Sequence, residues 1–235
     1  MKKKVCVLTT GHEALDVRVF HKECKSLAEA GYEVYLIASH PEREVVEGVS
    51  IIPLNTRKDR AYRFLVKGWT VLWKALKLRA DFYHFHDPDL IFAGLLLKLL
   101  GKTVIYDVHE DVPKDILSKE WLGSISARKI VSALARSLFK LSALFFDGII
   151  AATPSISENF PKHKTVTLRN VPKALFIRGI KPETWTKIRP SVIYAGGLTR
   201  IRGIKEIIEA IGKLEGLVEL WLLGWWGRPE WKANL

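Results

Sequence analysis

The sequence predicts an α/β fold of the doubly wound kind, with a complete first domain built on a parallel sheet and the first βαβ unit of a second. Three observations carry this. Short apolar runs alternate with longer segments of helical period as far as residue 168. Glycines stand where the helices should stop. The segment 171–190 holds Pro172, Pro182 and Pro190 with no steady period, and a second strand–helix–strand alternation follows it.

The elements follow in order. Val5-Cys6-Val7-Leu8 reads as a strand buried on both faces. An amphipathic helix over 17–30 places Val17, Phe20, Cys24, Leu27 and Ala28 on one side, and Gly31 ends it. Strands are expected at 34–38 and 49–53, a helix at 60–79 and a strand at 82–85. A helix at 88–100 closes on Gly101, and a strand at 103–106 follows. A long helical region covers 122–144, then a strand 148–152, a short helix 155–160 and a strand 165–168. Past the linker come a strand at 191–195, Gly196-Gly197, a helix at 202–214 and a strand at 218–223. One βαβ unit cannot cover both faces of its own sheet. The expected division is therefore a domain at 1–170, a linker at 171–190, and an incomplete second domain at 191–235.

Composition narrows the function. Hydrophobic residues at 48% and charged residues at 26% exclude a disordered chain. Lys+Arg 37 against Asp+Glu 25 leaves 37 − 25 = +12, which favours an anionic partner: a nucleotide phosphate, a nucleic acid or an acidic lipid. No recognition-helix or RNP pattern appears, so nucleic acid is not expected. The 2 cysteines, Cys6 and Cys24, are too few for a disulfide framework or a four-ligand zinc site and fit a reducing compartment. Lys2-Lys3-Lys4 precedes an apolar run too short for a signal peptide, and no stretch reaches the roughly 18 apolar residues of a spanning helix. A soluble, cytoplasmic protein is expected, peripheral to the inner face of a membrane if it meets one. The helix at 60–79 would supply that contact: Arg63, Lys67, Trp69, Trp73 and Lys74 combine positive charge with interfacial tryptophans, though a core-packed helix with snorkelling cations would look the same. The region 122–144 adds Arg128, Lys129, Arg136 and Lys140.

In an open parallel sheet, ligands bind outside the carboxyl ends of the strands. Gly11, His12, Glu13, Asp16 and Arg18 follow the first strand, His86, Asp87 and Asp89 the strand at 82–85, and Asp107, His109, Glu110 and Asp111 the strand at 103–106. Asp87-Pro88-Asp89 is accounted for as a helix start, with Asp87 the N-cap, Pro88 at N1 and Asp89 beside the positive helix end. His84-Phe85-His86 finds no third ligand in sequence, so no metal is expected. Gly101-Lys102-Thr103 has the wrong element order for a phosphate-binding P-loop, and no G-x-G-x-x-G occurs. The sharpest segment is Gly196-Gly197-Leu198-Thr199-Arg200-Ile201-Arg202-Gly203-Ile204-Lys205. Its glycines let backbone N–H groups approach a phosphate, and Arg200, Arg202 and Lys205 stand at a helix mouth where cations are unfavourable until an anion binds.

Taken together, these motifs resemble the family 4 (group 1) glycosyltransferases of GT-B fold. Asp16-Val17-Arg18-Val19-Phe20-His21-Lys22-Glu23, His84-Phe85-His86-Asp87-Pro88-Asp89, Tyr106-Asp107-Val108-His109-Glu110-Asp111, Ala152-Thr153-Pro154-Ser155 and Leu168-Arg169-Asn170-Val171-Pro172 occur in the family's order. The resemblance implies two Rossmann-like domains and transfer of a sugar from a nucleotide-diphosphate sugar to a glycolipid or polysaccharide acceptor. Transfer would retain the anomeric configuration, without a metal or other cofactor. It implies that His109 contacts the transferred sugar, that Gly196, Gly197, Thr199, Arg200, Arg202 and Lys205 hold the donor diphosphate, and that Gly11, His12, Asp16, Arg18, His86, Asp107 and Glu110 form the acceptor side. The chain departs from the pattern at Gly197, where the family has a basic residue, and at Arg202, where it has lysine. The family's pair of glutamates eight positions apart occurs nowhere, so this chain alone is expected to be inactive. Two other readings stay open: a non-catalytic membrane- or partner-binding module, and a GT-B-fold sugar-nucleotide epimerase.

Overall fold

The computed structural model describes residues 2–54, 68–171 and 190–226. The chain forms two compact units, Met1–Val171 and Pro172–Leu235. Apart from its two ends, the segment expected as a linker lies outside the described residues.

The first unit is an eight-stranded sheet. Its strands are β1 (Lys4–Glu13), β2 (Glu33–Ser39), β3 (Glu44–Val46), β4 (Val49–Leu54), β5 (Phe82–Phe85), β6 (Thr103–Val108), β7 (Gly148–Ala151) and β8 (Thr165–Thr167). Their spatial order is β3-β4-β2-β1-β5-β6-β7-β8. All pairings are parallel except β3 with β4. The chain steps outward from β1 through β2 to β4, then crosses back and continues on the other side from β5 to β8. The reversal falls between β1 and β5, where a doubly wound sheet opens its ligand crevice.

Alternation along β1 divides the core in two. Cys6 and Leu8 join Phe85, Tyr106 and Phe146 on one face, and Val5 and Val7 join Phe20, Val34 and Leu36 on the other. Both faces are covered, which is why these strands read as unbroken apolar runs. The helices of this unit are α1 (Lys25–Glu29), α2 (Gly68–Leu78), α3 (Ile91–Leu99), α4 (Val112–Ser118), α5 (Ile125–Phe145) and α6 (Pro154–Ser157).

Three elements differ from expectation. The turn Val19–Cys24 ahead of α1 is π-helical, with the N–H of His21 reaching the carbonyl of Asp16 at 3.2 Å and that of Glu23 reaching Arg18 at 3.1 Å. The wider turn rotates Val17 out to 61% exposure and buries Val19 at 0%. A short helix not expected from the sequence, α4, opens under an Asp111 cap on the Lys114 N–H, ahead of the helix expected at 122–144, which is α5 and opens under a Ser124 cap on the Ala127 N–H. Strand β3 forms a hairpin with β4 through Glu47 and Gly48, both at positive φ (46° and 82°). Of the helix expected at 60–79, residues 60–67 lie outside the described residues and Gly68–Leu78 are helical.

The second unit shows parallel strands β9 (Ser191–Ala195) and β10 (Glu219–Leu223), joined through α7 (Ile204–Gly212). A 3-10 turn, Arg200–Arg202, precedes α7, so Arg202 stands ahead of the helix and not inside it.

Candidate active site at the carboxyl ends of the strands

Beyond Leu8 the chain leaves regular pairing, and its polar groups need partners. Asp87, at the end of β5, supplies them. Its Oδ2 accepts from Thr9 Oγ1 at 2.6 Å, from the Thr10 N–H at 2.8 Å and from the Gly11 N–H at 3.2 Å. Asp89 accepts from Thr10 Oγ1 at 2.7 Å. The side chain of Asp87 therefore makes no cap bond to the turn Pro88–Leu90. The Asp-Pro-Asp motif is a clamp across the switch point, holding the loop after β1.

That loop carries His12 to His109, at the end of β6. Their Nε2 atoms lie 3.2 Å apart, which requires one proton between them. His12 Nδ1 lies 3.5 Å from Asp16 Oδ2, and the other oxygen of Asp16 accepts from the N–H groups of Arg18 and Val19 at 2.8 and 2.9 Å. The hydrogen bond with Asp16 raises the His12 pKa against the opposing effect of burial, and that with His12 lowers Asp16. The His12, Asp16 and His109 side chains are 29%, 30% and 16% exposed, so solvent and substrate can reach them. Gly11 and Glu110 are exposed beside them.

Arg18, His86 and Asp107 were expected on the acceptor side. They are instead 8%, 1% and 0% exposed. Alternation puts His84, His86 and Asp107 on the sheet face under the π turn, which hangs Arg18 and Glu23 over them. Arg18 NH2 donates to both Asp107 oxygens at 2.9 Å, and its Nε lies 3.0 Å from Glu23 Oε1. Burial, with the Asp107 carboxylate, raises Glu23 far above the usual carboxylate range. Burial works against ionisation of Asp107 too, but His109, the other imidazoles and Arg18 hold it low. The pKa values of His84 and His86 are lowered by burial. Glu23, His84, His86 and Asp107 each offer a donor atom, all within 4.8 Å of one another, so the fold brings two carboxylates to a histidine pair that has no third ligand in sequence. The Arg18 guanidinium stands between Asp107 and Glu23 and offsets the charge of the Asp107 carboxylate. Glu23 went unnoticed in sequence as a site residue; its spacing of five from Arg18, one π turn, was the available signal.

In the second unit, the turn after β9 depends on glycine. Gly196 has φ 149° and Gly203 φ 70°. A Cβ on Gly224 would meet the Gly196 carbonyl oxygen at 1.7 Å, so that residue too must be glycine. Tyr194 Oη donates to the Gly197 carbonyl at 3.0 Å, and the Leu198 N–H reaches Trp225 O at 2.8 Å. Arg200 and Arg202 are exposed with no carboxylate partner among the described residues. The Thr199 hydroxyl is buried and has no hydrogen-bond partner among them. Lys205 lies 3.7 Å from Glu209 on the surface of α7.

Of the residues expected at a membrane, Arg63 and Lys67 lie outside the described residues. Trp69 and Trp73 are 55% and 63% exposed. Lys77 stands over the Trp73 ring at 3.3 Å, Trp69 packs edge-on to Phe92, and Lys74 donates to the Pro53 carbonyl at 2.6 Å. Among the described residues no helix is long and apolar enough to cross a membrane.

A doubly wound sheet with its switch point between β1 and β5, followed by a second βαβ unit, has the architecture of the GT-B fold. Residues 17–171 match the sequence model of Glycosyltransferase Family 4, and the chain belongs to that family. No curated relative matches the chain. Among solved structures it is similar to the catalytic domain of starch synthase IV from Arabidopsis thaliana bound to ADP and acarbose, with a TM-score of 0.66 and 13% identity over 100% of this chain and 71% of that one. It is similar also to sucrose-phosphate synthase from Thermosynechococcus elongatus, with a TM-score of 0.64 and 16% identity over 94% of this chain and 62% of that one. A third is the UDP-forming α,α-trehalose-phosphate synthase from Burkholderia vietnamiensis, with a TM-score of 0.59 and 12% identity over 99% and 67%. The chain thus spans about two thirds of the length of these structures.

Proposed function

We propose that the protein serves sugar transfer from a nucleoside-diphosphate sugar to a glycan or lipid-borne acceptor, with retention at the anomeric carbon. The observation that carries the reading is the turn after β9. Two arginines without a carboxylate partner among the described residues, a buried hydroxyl likewise unpartnered, and backbone opened by glycines make a site for an anion. As the bond from the sugar to the diphosphate breaks, negative charge grows on the departing phosphate oxygen. Arg200, Arg202 and the N–H groups of the turn stabilise that charge more than they stabilise the intact donor. Gly196, Gly197 and Thr199 shape the turn, and Lys205, in the first turn of α7, adds longer-range attraction. His109 orients the transferred sugar. Gly11, His12, Asp16 and Glu110 face the acceptor, with Asp16 fixing the ring of His12. Arg18, His86 and Asp107 act from below, holding the end of β6 in place. ADP in one neighbour and the UDP-forming reaction named for another support a diphosphate leaving group.

The glutamate pair implied for the donor ribose and sugar is absent from this sequence, so the test reads binding and not turnover. Calorimetric titration of the 235-residue chain with UDP, ADP and GDP should give a saturable site for at least one. Arg202→Ala should weaken it by about 1–3 kcal/mol, roughly 5- to 150-fold. Equal affinity in the variant would reject the assignment. Product analysis with and without acceptor, in a protein carrying the glutamate pair, separates transfer from epimerisation.

A further inference from the structure

Beneath the candidate site, the cluster of Glu23, His84, His86 and Asp107 holds more buried polar atoms than its own hydrogen bonds serve. Glu23 Oε2, His84 Nε2 and both ring nitrogens of His86 are buried and have no hydrogen-bond partner among the described residues. None of the four side chains is more than 8% exposed. Buried polar groups are nearly always paired, so several such atoms in one place call for something that engages them together.

Geometry identifies it. His84 Nε2 lies 3.9 Å from both Glu23 Oε2 and Asp107 Oδ2. His86 Nε2 lies 3.5 Å from Glu23 Oε2, and Nδ1 of the same ring 3.7 Å from Asp107 Oδ2. These spacings are long for hydrogen bonds. They approach the separation of about 3.3 Å that donors take around a tetrahedral zinc ion. One donor atom from each residue lies within 4.8 Å of the other three, so small side-chain rotations bring all four onto one ion. The fold draws the set from three elements: β5 presents both histidines on one sheet face, β6 adds Asp107, and the π turn swings Glu23 over them. A proton on Glu23 would serve that carboxyl and one acceptor, whereas a cation engages Glu23, His84 and His86 at once. Arg18 donates to the Asp107 oxygens at 2.9 Å, as outer residues do to a ligating carboxylate, and each of those oxygens keeps a second lone pair for the ion. Imidazole and carboxylate donors without a thiolate suit zinc, iron or manganese.

We propose that Glu23, His84, His86 and Asp107 form a closed structural site for a divalent first-row metal ion, zinc by its geometry. The ion takes no part in sugar transfer, since burial leaves it no position for substrate. It ties the π turn to the ends of β5 and β6 and so fixes the floor beneath His109, whose Nδ1 lies 3.7 Å from Asp107 Oδ1. The inference does not depend on diphosphate binding, which UDP titration reads separately in the second unit.

Metal analysis of the untagged 235-residue chain, expressed in zinc-supplemented medium and dialysed against metal-free buffer, tests it. Plasma mass spectrometry should find about one equivalent of a first-row metal per chain. Refolding with cobalt(II) in place of zinc should give the visible absorption of a four-coordinate ion with nitrogen and oxygen ligands. Refolding in EDTA should lower the Tm by at least about 5 °C. Glu23→Gln keeps the side chain's shape and should weaken zinc at least about a hundredfold in competition with a chromophoric chelator. The exposed His163→Gln should leave zinc affinity unchanged. The cobalt spectrum and the EDTA melt are read on the wild type, so a Glu23→Gln chain that fails to fold leaves the test intact. A wild-type chain that folds with less than about a tenth of an equivalent of metal and melts unchanged in EDTA overturns the proposal, and a proton on Glu23 then accounts for the cluster. Zinc held equally by Glu23→Gln overturns it too.

Discussion

At the scale of single residues, exposure separates the chemistry from its support. Arg18 looks in sequence like one more cation at a strand end. Buried at 8% between Asp107 and Glu23, it is the counter-charge that lets a carboxylate sit inside the sheet. Arg18→Met should therefore destabilise the first unit by about 3–5 kcal/mol, the cost of stranding a buried charge. Urea denaturation measures it; a change under about 1 kcal/mol would show that Asp107 does not need the guanidinium. The partly exposed pair His12–Asp16 behaves differently. The folded pKa of His12 is raised, so its contribution is complete below the unfolded value near 6.5 and is lost as pH rises through the folded one. The folded pKa of Asp16 is lowered, so its contribution is present above the unfolded value near 4 and is lost as pH falls through the folded one. Both act between about pH 5 and 6. The stability difference between the wild type and His12→Gln should be about 0.5–1 kcal/mol at pH 5.5 and vanish near pH 9, read from paired denaturation curves. A difference that does not change with pH would mean that the ring only packs.

At the scale of elements, what sequence shows depends on how local the cause is. Gly31 and Gly101 end helices because a left-handed residue is needed there, and both adopt positive φ (91° and 71°) where periodicity stops. Strand β1 is visible because burial on both faces needs an apolar run. The π turn at Val19–Cys24 is invisible to a 3.6-residue period, and so is the inward swing of Val19 that comes with it. The hairpin of β3 was missed in sequence, although Gly48 stands at its turn, because its strand is three residues long and carries little pattern. Gly94 shows a cause that is not local at all. It sits within α3, where alanine would ordinarily gain about 1 kcal/mol. A Cβ there would meet Phe85 Cε1 at 2.8 Å and Phe146 Cε1 at 3.1 Å. Phe85 is itself stacked on Tyr106, 4.4 Å between centroids at 8°, so it has no room to yield. Gly94→Ala should lose about 1–2 kcal/mol net, overpacking outweighing propensity. A rise in melting temperature would refute that packing.

At the scale of the whole molecule, the two units rest on unequal cores. The doubly wound order was legible because each crossover leaves its strand and helix in sequence. The meeting of His12 with His109, 97 residues apart, was not, since it depends on β1 lying against β5 and β5 against β6. In the second unit, Leu198 and Ile204 are the buried apolar residues among those described. Val192 and Ile193, neighbours that point to opposite faces, are 43% and 60% exposed, and Trp221 and Leu223 are both 55% exposed. One face of this small sheet is open and the other, with Tyr194, Leu220 and Leu222, only half-covered, so little apolar burial opposes the entropy of ordering it. Opening of β9 and β10 should then cost far less free energy than opening of β1 and β5, whose residues Val5 to Leu8 are at most 4% exposed. Native-state hydrogen exchange on the 235-residue chain checks this: protection factors in β9 and β10 should fall at least about a hundredfold below those in β1 and β5. The same measurement with saturating UDP should raise protection around Gly196–Gly203 and leave β1 unchanged, because a ligand stabilises only the state that binds it. Equal protection in both sheets without nucleotide would mean that the second unit is held by something other than its own burial.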